Sequence, residues 1–381
     1  MNEISGSPAA AVPAQTVKAP KKKIPSLDLM KFMGILIVVF YHGRLVVDTN
    51  IIWDRSLDQY IFYGILTLIG PCVPFFFLVN GYLLFDHSLD LKKHIKKTLH
   101  FVVLTIFWSY VTLSATLLTS PYGDFSWKYV LKHGLLMDTY WYYHLWFMGA
   151  MVILYIFFPM LKSVWDHHRK AFYYFVLVCF VIVFGNRALN MAYNVYAWLR
   201  YHVNYDPNYN FFSIFHPFVG IDGYIFVYFC LGAIIRENQE KFNRIMKPWV
   251  CIVGIIVTTA ALYLYGYFMS LSTGSLWQSG DRCGNDVIFS LIRILCIFGL
   301  ASRYKGTGKL SRFINVISAN TMGIYLIHYV LRNMTARIFR ELVPIHEYFL
   351  LTLVYSVLLF AASWLIMVIM QRIPVLKKLV A

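Results

Sequence analysis

Charge is scarce in this sequence. Only 14% of its 381 residues are Asp, Glu, Lys or Arg, against roughly 25% in a soluble globular protein. That shortage excludes an ordinary soluble fold. A cysteine framework is missing too. Of the six cysteines, Cys72, Cys179, Cys230, Cys251 and Cys296 lie in apolar stretches and only Cys283 lies in a predicted loop. No pair has the close spacing of a metal site such as CxxC. Buried cysteines behave as small apolar residues, so neither a disulfide scaffold nor a metal centre is expected. Alternating segments of about ten residues, the mark of a membrane β-barrel, are also absent. There is no internal repeat and no stretch that reads as a second, soluble domain.

Apolar residues are plentiful. The chain is 59% hydrophobic and 18% aromatic. Stretches of about 20 apolar residues recur, each long enough for a hydrocarbon core of about 30 Å. The fold class expected is all-α, a polytopic membrane helix bundle of about ten transmembrane helices. The spans are predicted near 27–47, 61–85, 99–119, 144–161, 171–186, 211–235, 249–269, 287–302, 313–332 and 348–370. Residues 1–25, rich in Ala, Pro and Lys, read as a disordered basic tail. Residues 26–372 form the membrane domain and 373–381 a short tail. The apolar run that follows the lysines is too long for a signal peptide, and no cleavage pattern follows it.

The net charge of +16 raises nucleic acid as a partner, but the basic residues sit in short loops between spans. Their distribution reports topology instead. Twenty-two lysines and arginines fall in the loops that share a side with the N-terminal tail, and nine in the alternate loops. By the positive-inside rule both termini are expected in the cytoplasm.

Ionisable groups inside spans cost about 2.5–3.5 kcal/mol each for Arg, Lys or Asp at a helix centre. The first span carries three, in SLDLMKFMGILIVVFYHGRLVV: Asp28, Lys31 and His42. At 100° per residue, Lys31 and His42 fall within about 20° of one face, about 16 Å apart along the axis. One stripe thus carries a cation near the cytoplasm and an imidazole beyond the midplane. Other spans add His144, Arg187, His216, Asp222, Arg293 and His328 at outer depths, and Asn80 and Asn320 at inner ones. Singly, each reads as a packing residue, and Asp222 with Arg293 as a structural ion pair. Tyr142, Tyr143 and Trp146 fit an interfacial belt. Together, from six helices, they imply a polar cavity with two chemically different ends. The inner mouth is flanked by KKHIKK and RYKGTGKLSR, lysine-rich loops that set topology or hold phosphates as point charges. The outer end holds imidazoles, suited to general-base work near neutral pH.

Five segments resemble the acyltransferase 3 family of membrane acyltransferases. LDLMKFMGILIVVFYH resembles its first helix, where a basic residue, ten residues and a histidine recur; here they are Lys31 and His42, with lysine in place of the commoner arginine. Lysine keeps the charge and loses the bidentate fork. FFFLVNGYLLF resembles the second-helix segment, with Asn80 where serine is more usual before Gly81. KKHIKK resembles the basic stretch opening the third helix, HLWFMGAMVI the segment around a tryptophan in the fourth, and ISANTMGIYLIHYVL the late segment ending in Tyr325 and His328. The resemblance covers about residues 26 to 370 and points to the stand-alone type, without an added periplasmic hydrolase-like domain.

The resemblance implies transfer of an acyl group, usually acetyl, from cytoplasmic acyl-CoA to a hydroxyl of an envelope glycan or glycolipid, in a bacterial cytoplasmic (inner) membrane. Acyl-CoA is then a co-substrate, no cofactor is tightly bound, and membrane lipids surround the protein. His42 is the expected general base. Asp28, at roughly 21 Å of helical rise, is too distant to orient it, which leaves His328, Asp222 or Tyr325. An acyl-imidazole on His42 stays open as an alternative to direct transfer. Donor contacts are expected from Lys31, Asn80, Lys93, Lys97, Lys309 and Arg312. The acceptor or oxyanion side is expected to use His144, Trp146, Arg187, Asp222, Arg293, Tyr325 and His328, with Arg293 as a candidate for the oxyanion. Physics alone suits a transporter or flippase for a polar or lipid-linked saccharide equally well, although no repeat of the kind many carriers show is visible. A third reading is a structural scaffold with polar interhelical glue.

Overall fold

The computed structural model describes residues 24–43, 57–119, 126–137, 144–202, 223–274, 284–343 and 349–380. Among the described residues there are helices and no strands. The helices are α1 (Pro25–Gly43), α2 (Leu57–Ile69), α3 (Pro74–Leu84), α4 (Leu91–Thr119), α5 (Trp127–Gly134), α6 (Trp146–His167), α7 (Arg169–Phe180), α8 (Asn186–Tyr201), α9 (Tyr224–Glu237), α10 (Gln239–Ile245), α11 (Pro248–Thr273), α12 (Ile288–Ala301), α13 (Gly308–Ser318), α14 (Thr321–Leu342), α15 (Phe349–Arg372) and α16 (Pro374–Lys377). A π-helical turn, Val181–Gly185, joins α7 to α8.

Each predicted span overlaps a helix. Among the described residues, seven segments are long and apolar enough to cross a membrane, or eight if the bent pair α13–α14 is one span. The helices α9 and α12 have 14 residues each, about 21 Å, and are short of the hydrocarbon thickness. Residues 211–222 of the sixth predicted span lie outside the described residues.

Several spans differ from expectation for identifiable reasons. The span 61–85 falls in one membrane-length segment, Leu57–Leu84, which is broken into two helices at Gly70–Pro71–Cys72–Val73; Pro71 has no N–H to continue a helix. KKHIKK is not a loop but the first two turns of α4. The fifth span continues through the π turn to Tyr201. Its second half carries Asn190 and Asn194, which are buried; Asn194 donates to the Tyr265 hydroxyl of α11 at 3.3 Å. The span 313–332 is α13 and α14, bent by 68°. The C-terminal stretch docks against α4: Trp108 Nε1 donates to the Leu379 carbonyl at 2.7 Å, and Val380 is buried.

Three contacts set the frame around the first helix. α1 packs against α3, α13, α14 and α15, so it sits inside the bundle. Among the described helices, α3 and α9 pack most extensively. A Cβ on Gly81 would strike the Phe229 carbonyl, and one on Gly232 the Leu78 carbonyl, so small residues bring the backbones together. α4 and α6 are joined by one specific bond. Pro159 inside α6 removes the N–H that would reach the Tyr155 carbonyl. His94, the one buried side chain of KKHIKK, has Nε2 2.6 Å from that carbonyl. A carbonyl only accepts, so the imidazole N–H supplies the missing donor.

Candidate active site

The apolar residues of α1 seat it against α3 and α14, and its last turn brings His42 to α14. His42 Nδ1 lies 3.0 Å from His328 Nε2. His328 is fully buried, and its Nδ1 lies 3.3 Å from the Ile324 carbonyl, one turn back on α14. These bonds fix the tautomers. The Ile324 carbonyl accepts only, so His328 Nδ1 carries the hydrogen. A neutral His328 then accepts at Nε2, and His42 donates from Nδ1. The lone pair of His42 is left on Nε2, the nitrogen a general base uses. Of the three groups expected to orient His42, His328 is the one in contact. Tyr325 donates its hydroxyl to the His144 carbonyl instead, and Asp222 lies outside the described residues, as does His216.

Tyr329, which the sequence reading passed over, links the imidazoles. Its ring meets His42 edge-on at 5.6 Å and stacks on His144 at 4.1 Å and 8°. His144 is 1% exposed, and its ring centre is 6.2 Å from that of His328. The signal was present in the sequence as a second aromatic beside His328. A helical stripe of period 3.6 does not foresee two successive residues both facing a neighbour.

Below this cluster lies a cavity of about 280 Å³. Lys31, Asn80 and Ser318 line it, and so do Phe101, Phe147 and Tyr325. Lys31 and Tyr325 thus share one space; none of the three imidazoles lines it, and Tyr325 stands between it and them, its ring 5.7 Å from that of His328 and 6.0 Å from that of His144. Lys31 Nζ is 3.6 Å from Asp28 Oδ1, and that oxygen accepts from Ser318 Oγ at 2.6 Å. Asp28 therefore positions Lys31 and ties α1 to α13. Asn80 turns its amide to the Phe76 carbonyl at 2.8 Å.

The other expected donor residues lie at several distances from this cavity. Lys97 sits over the Tyr155 ring at 4.9 Å, and Tyr155 stacks on the cavity-lining Phe101 at 5.1 Å. Lys93 is surface-exposed and pairs with Asp90 at 2.5 Å. Its ammonium and its backbone N–H hold the Asp90 carboxyl below the usual carboxylate range. Lys309 and Arg312 are exposed on the first turns of α13. The loop before them packs on the start of α1, where Gly306 takes a positive φ of 68° against Pro25.

On the acceptor side, Trp146 opens α6 and is half-buried. Arg187 donates through Nε and Nη2 to Asp286 at 2.9 and 2.7 Å. Arg293 is fully buried and donates to Thr259 Oγ1 at 3.2 Å. It lines a separate, largely apolar cavity of about 610 Å³ with Leu29, Met33 and Ile37. Those three residues recur every fourth position, on the face of α1 turned about 200° from Lys31. α1 therefore divides two cavities, and Arg293 belongs to the apolar one. Among the described residues no cluster of His, Cys, Asp or Glu has a geometry for a metal ion.

No curated protein and no solved structure matches the chain significantly. A family model described as an acyltransferase domain (Acyl_transf_3) matches residues 24–369, nearly the whole chain. That match separates an enzyme from the carrier and scaffold readings, and by it the chain belongs to the acyltransferase 3 family and is a membrane acyltransferase.

Proposed function

We propose that the protein transfers an acyl group, acetyl in the first instance, from cytoplasmic acyl-CoA to a hydroxyl of an envelope glycan or glycolipid. The topology that goes with this reading has ten spans, both termini in the cytoplasm, and a bacterial inner membrane as the site. The short helices α9 and α12 then count as spans completed by neighbouring residues.

The observation that carries the reading is the bond from His42 to His328, with the Ile324 carbonyl fixing which nitrogen bears the lone pair. An alcohol is a poor nucleophile until a base within reach takes its proton. His42 Nε2 removes the hydroxyl proton of the acceptor as its oxygen adds to the thioester carbonyl. A C–O bond forms, the C–S bond breaks, and the proton passes from His42 to the departing thiolate. His328 holds the ring and stabilises the imidazolium formed in between.

The cavity supports the donor half of the reading. Coenzyme A stays in the cytoplasm, with its phosphates toward Lys31 and the basic segments around Lys97, Lys309 and Arg312. Its narrow pantetheine arm enters between Lys31 and Asn80 and brings the acyl group up to Tyr325. The acceptor arrives from the outer or lateral side, where Trp146 and His144 lie. Arg187 supports the site from a distance, by holding α8 to the segment before α12.

The test is His42→Ala in membranes supplied with labelled acetyl-CoA, with protein level checked. A loss of transfer of roughly 10²–10⁴-fold is expected for removal of the base. Undiminished transfer at normal protein level overturns the assignment.

A further inference from the structure

The strongest unexplained group in the bundle is the imidazole of His144. It is buried, and neither Nδ1 nor Nε2 has a hydrogen-bond partner among the described residues. Leaving a buried polar group unsatisfied is costly, so the site holds an imidazole in a place where packing alone would favour a phenyl ring. The side chain is also held in one place. Tyr325 bonds its backbone carbonyl, Tyr329 stacks on one face of the ring, and the Tyr325 ring lies 6.0 Å away.

A second feature meets the first. His144 stands at the N-terminus of α6, a 22-residue helix whose first turn no side chain caps. The N–H groups of a first turn point out of the helix end, and they carry its positive partial charge. Phe147, in that turn, and Tyr325 both line the Lys31 cavity. Whatever rises through the cavity from Lys31 arrives beneath Phe147 and Tyr325, one side chain short of His144.

The geometry points to an oxyanion site made by the His144 imidazole N–H together with the N–H groups of Trp146 and Phe147, the Met148 N–H being bonded to the Leu145 carbonyl, receiving the carbonyl oxygen of the acyl thioester. This rests on the reading of the cavity as the donor site. As the acceptor oxygen adds to the carbonyl carbon, the C=O π electrons move onto oxygen. His144 keeps its proton and hydrogen-bonds to that oxygen. The double bond re-forms when the C–S bond breaks and its electron pair leaves on sulfur. The role falls to His144 and not to Arg293, because Arg293 lines the cavity on the other side of α1. Removing one such donor typically lowers kcat by about 10²–10³-fold.

The test uses binding, so the acceptor need not be known. Two coenzyme A analogues are titrated calorimetrically into the purified full-length protein. One is the methyl ketone with a methylene in place of the thioester sulfur. The other has the ketone carbonyl also reduced to a methylene. Wild type is expected to bind the ketone about three- to tenfold more tightly, with its carbonyl stretch shifted to lower frequency. His144→Ala is expected to lose both the preference and the shift while binding the reduced analogue as wild type does. His144→Gln, which keeps an N–H of similar reach, is expected to retain part of the preference. Equal binding of the two analogues by wild type overturns the inference and leaves the donor reading standing, and it needs no variant that folds. Retention of the full preference by His144→Ala also overturns it. If wild type binds neither analogue, the donor reading itself fails.

Discussion

At the scale of the residue, the site turns on which hydrogen sits on which nitrogen. Two histidines in contact can share a proton in either sense, and the choice decides whether His42 is a base or a donor. The Ile324 carbonyl makes that choice from 3.3 Å away. Removing His328 should therefore cost turnover while donor binding stays intact. For His328→Ala, kcat is expected to fall on the order of 10²-fold with donor KM within about twofold, measured by labelled acyl transfer. His328→Gln offers a side-chain oxygen to the same N–H and should recover part of the rate. Transfer by His328→Ala at the wild-type rate would show that the tautomer is fixed in some other way. At this scale the sequence was informative about His42 and Lys31, because an 11-residue offset and a helical rise place both on one face. It was silent on Tyr329 and on the carbonyl of Ile324. A backbone acceptor leaves no mark in the residue types, and adjacent helical residues are not expected to share a contact.

At the scale of the element, hydropathy located the helices and missed their breaks. A window of some 20 residues averages over Gly70–Pro71 and over Ala319–Asn320, so it joined α2 to α3 and α13 to α14. It also cut the fifth span short at 186, because Asn190 and Asn194 lower the average although both are buried. Their amide N–H groups are served inside the protein, Asn190 by the Asn186 carbonyl at 3.0 Å and Asn194 by Tyr265, and a hydropathy scale does not register that. The α3–α9 contact was not legible: in FFFLVNGYLLF Gly81 served only to place Asn80, and Gly232 looked like any small residue in an apolar run. Adding a methyl at Gly232 forces α3 and α9 apart. Gly232→Ala should destabilise the purified protein by about 1–3 kcal/mol, as overpacking commonly does, seen as a lower thermal midpoint and lost activity. Gly149→Ala meets nothing within 4 Å and serves as the control, with a midpoint near wild type. Equal midpoints for the two variants would mean that the α3–α9 contact gives way without strain.

At the scale of the whole molecule, the arrangement is a bundle in which α1 runs between two cavities. Polar groups line one side and apolar groups the other, and the donor is assigned to the polar side. The orientation of this bundle in the bilayer can be read chemically, since the five described cysteines are all buried. Lys128→Cys, exposed on α5, is expected to react with an impermeant maleimide in intact cells. Lys305→Cys, exposed before α13, is expected to react only after permeabilisation, in a background with Cys283 replaced. Labelling of both from the same side would rule out the ten-span topology.

The bonded histidine pair also sets the electrical character of the reaction. On the proposed mechanism, the proton taken up at His42 comes from a hydroxyl on the outer side and leaves on the thiol of coenzyme A, which returns to the cytoplasm. An acyl group moves outward, a hydrogen takes its place on sulfur, and no net charge crosses the bilayer. The membrane potential, worth about 2.3 kcal/mol per charge per 100 mV, then neither drives nor opposes the transfer. On that mechanism the thioester alone supplies the driving force, and labelled acyl transfer is expected to run as fast in a de-energised vesicle as in an energised one.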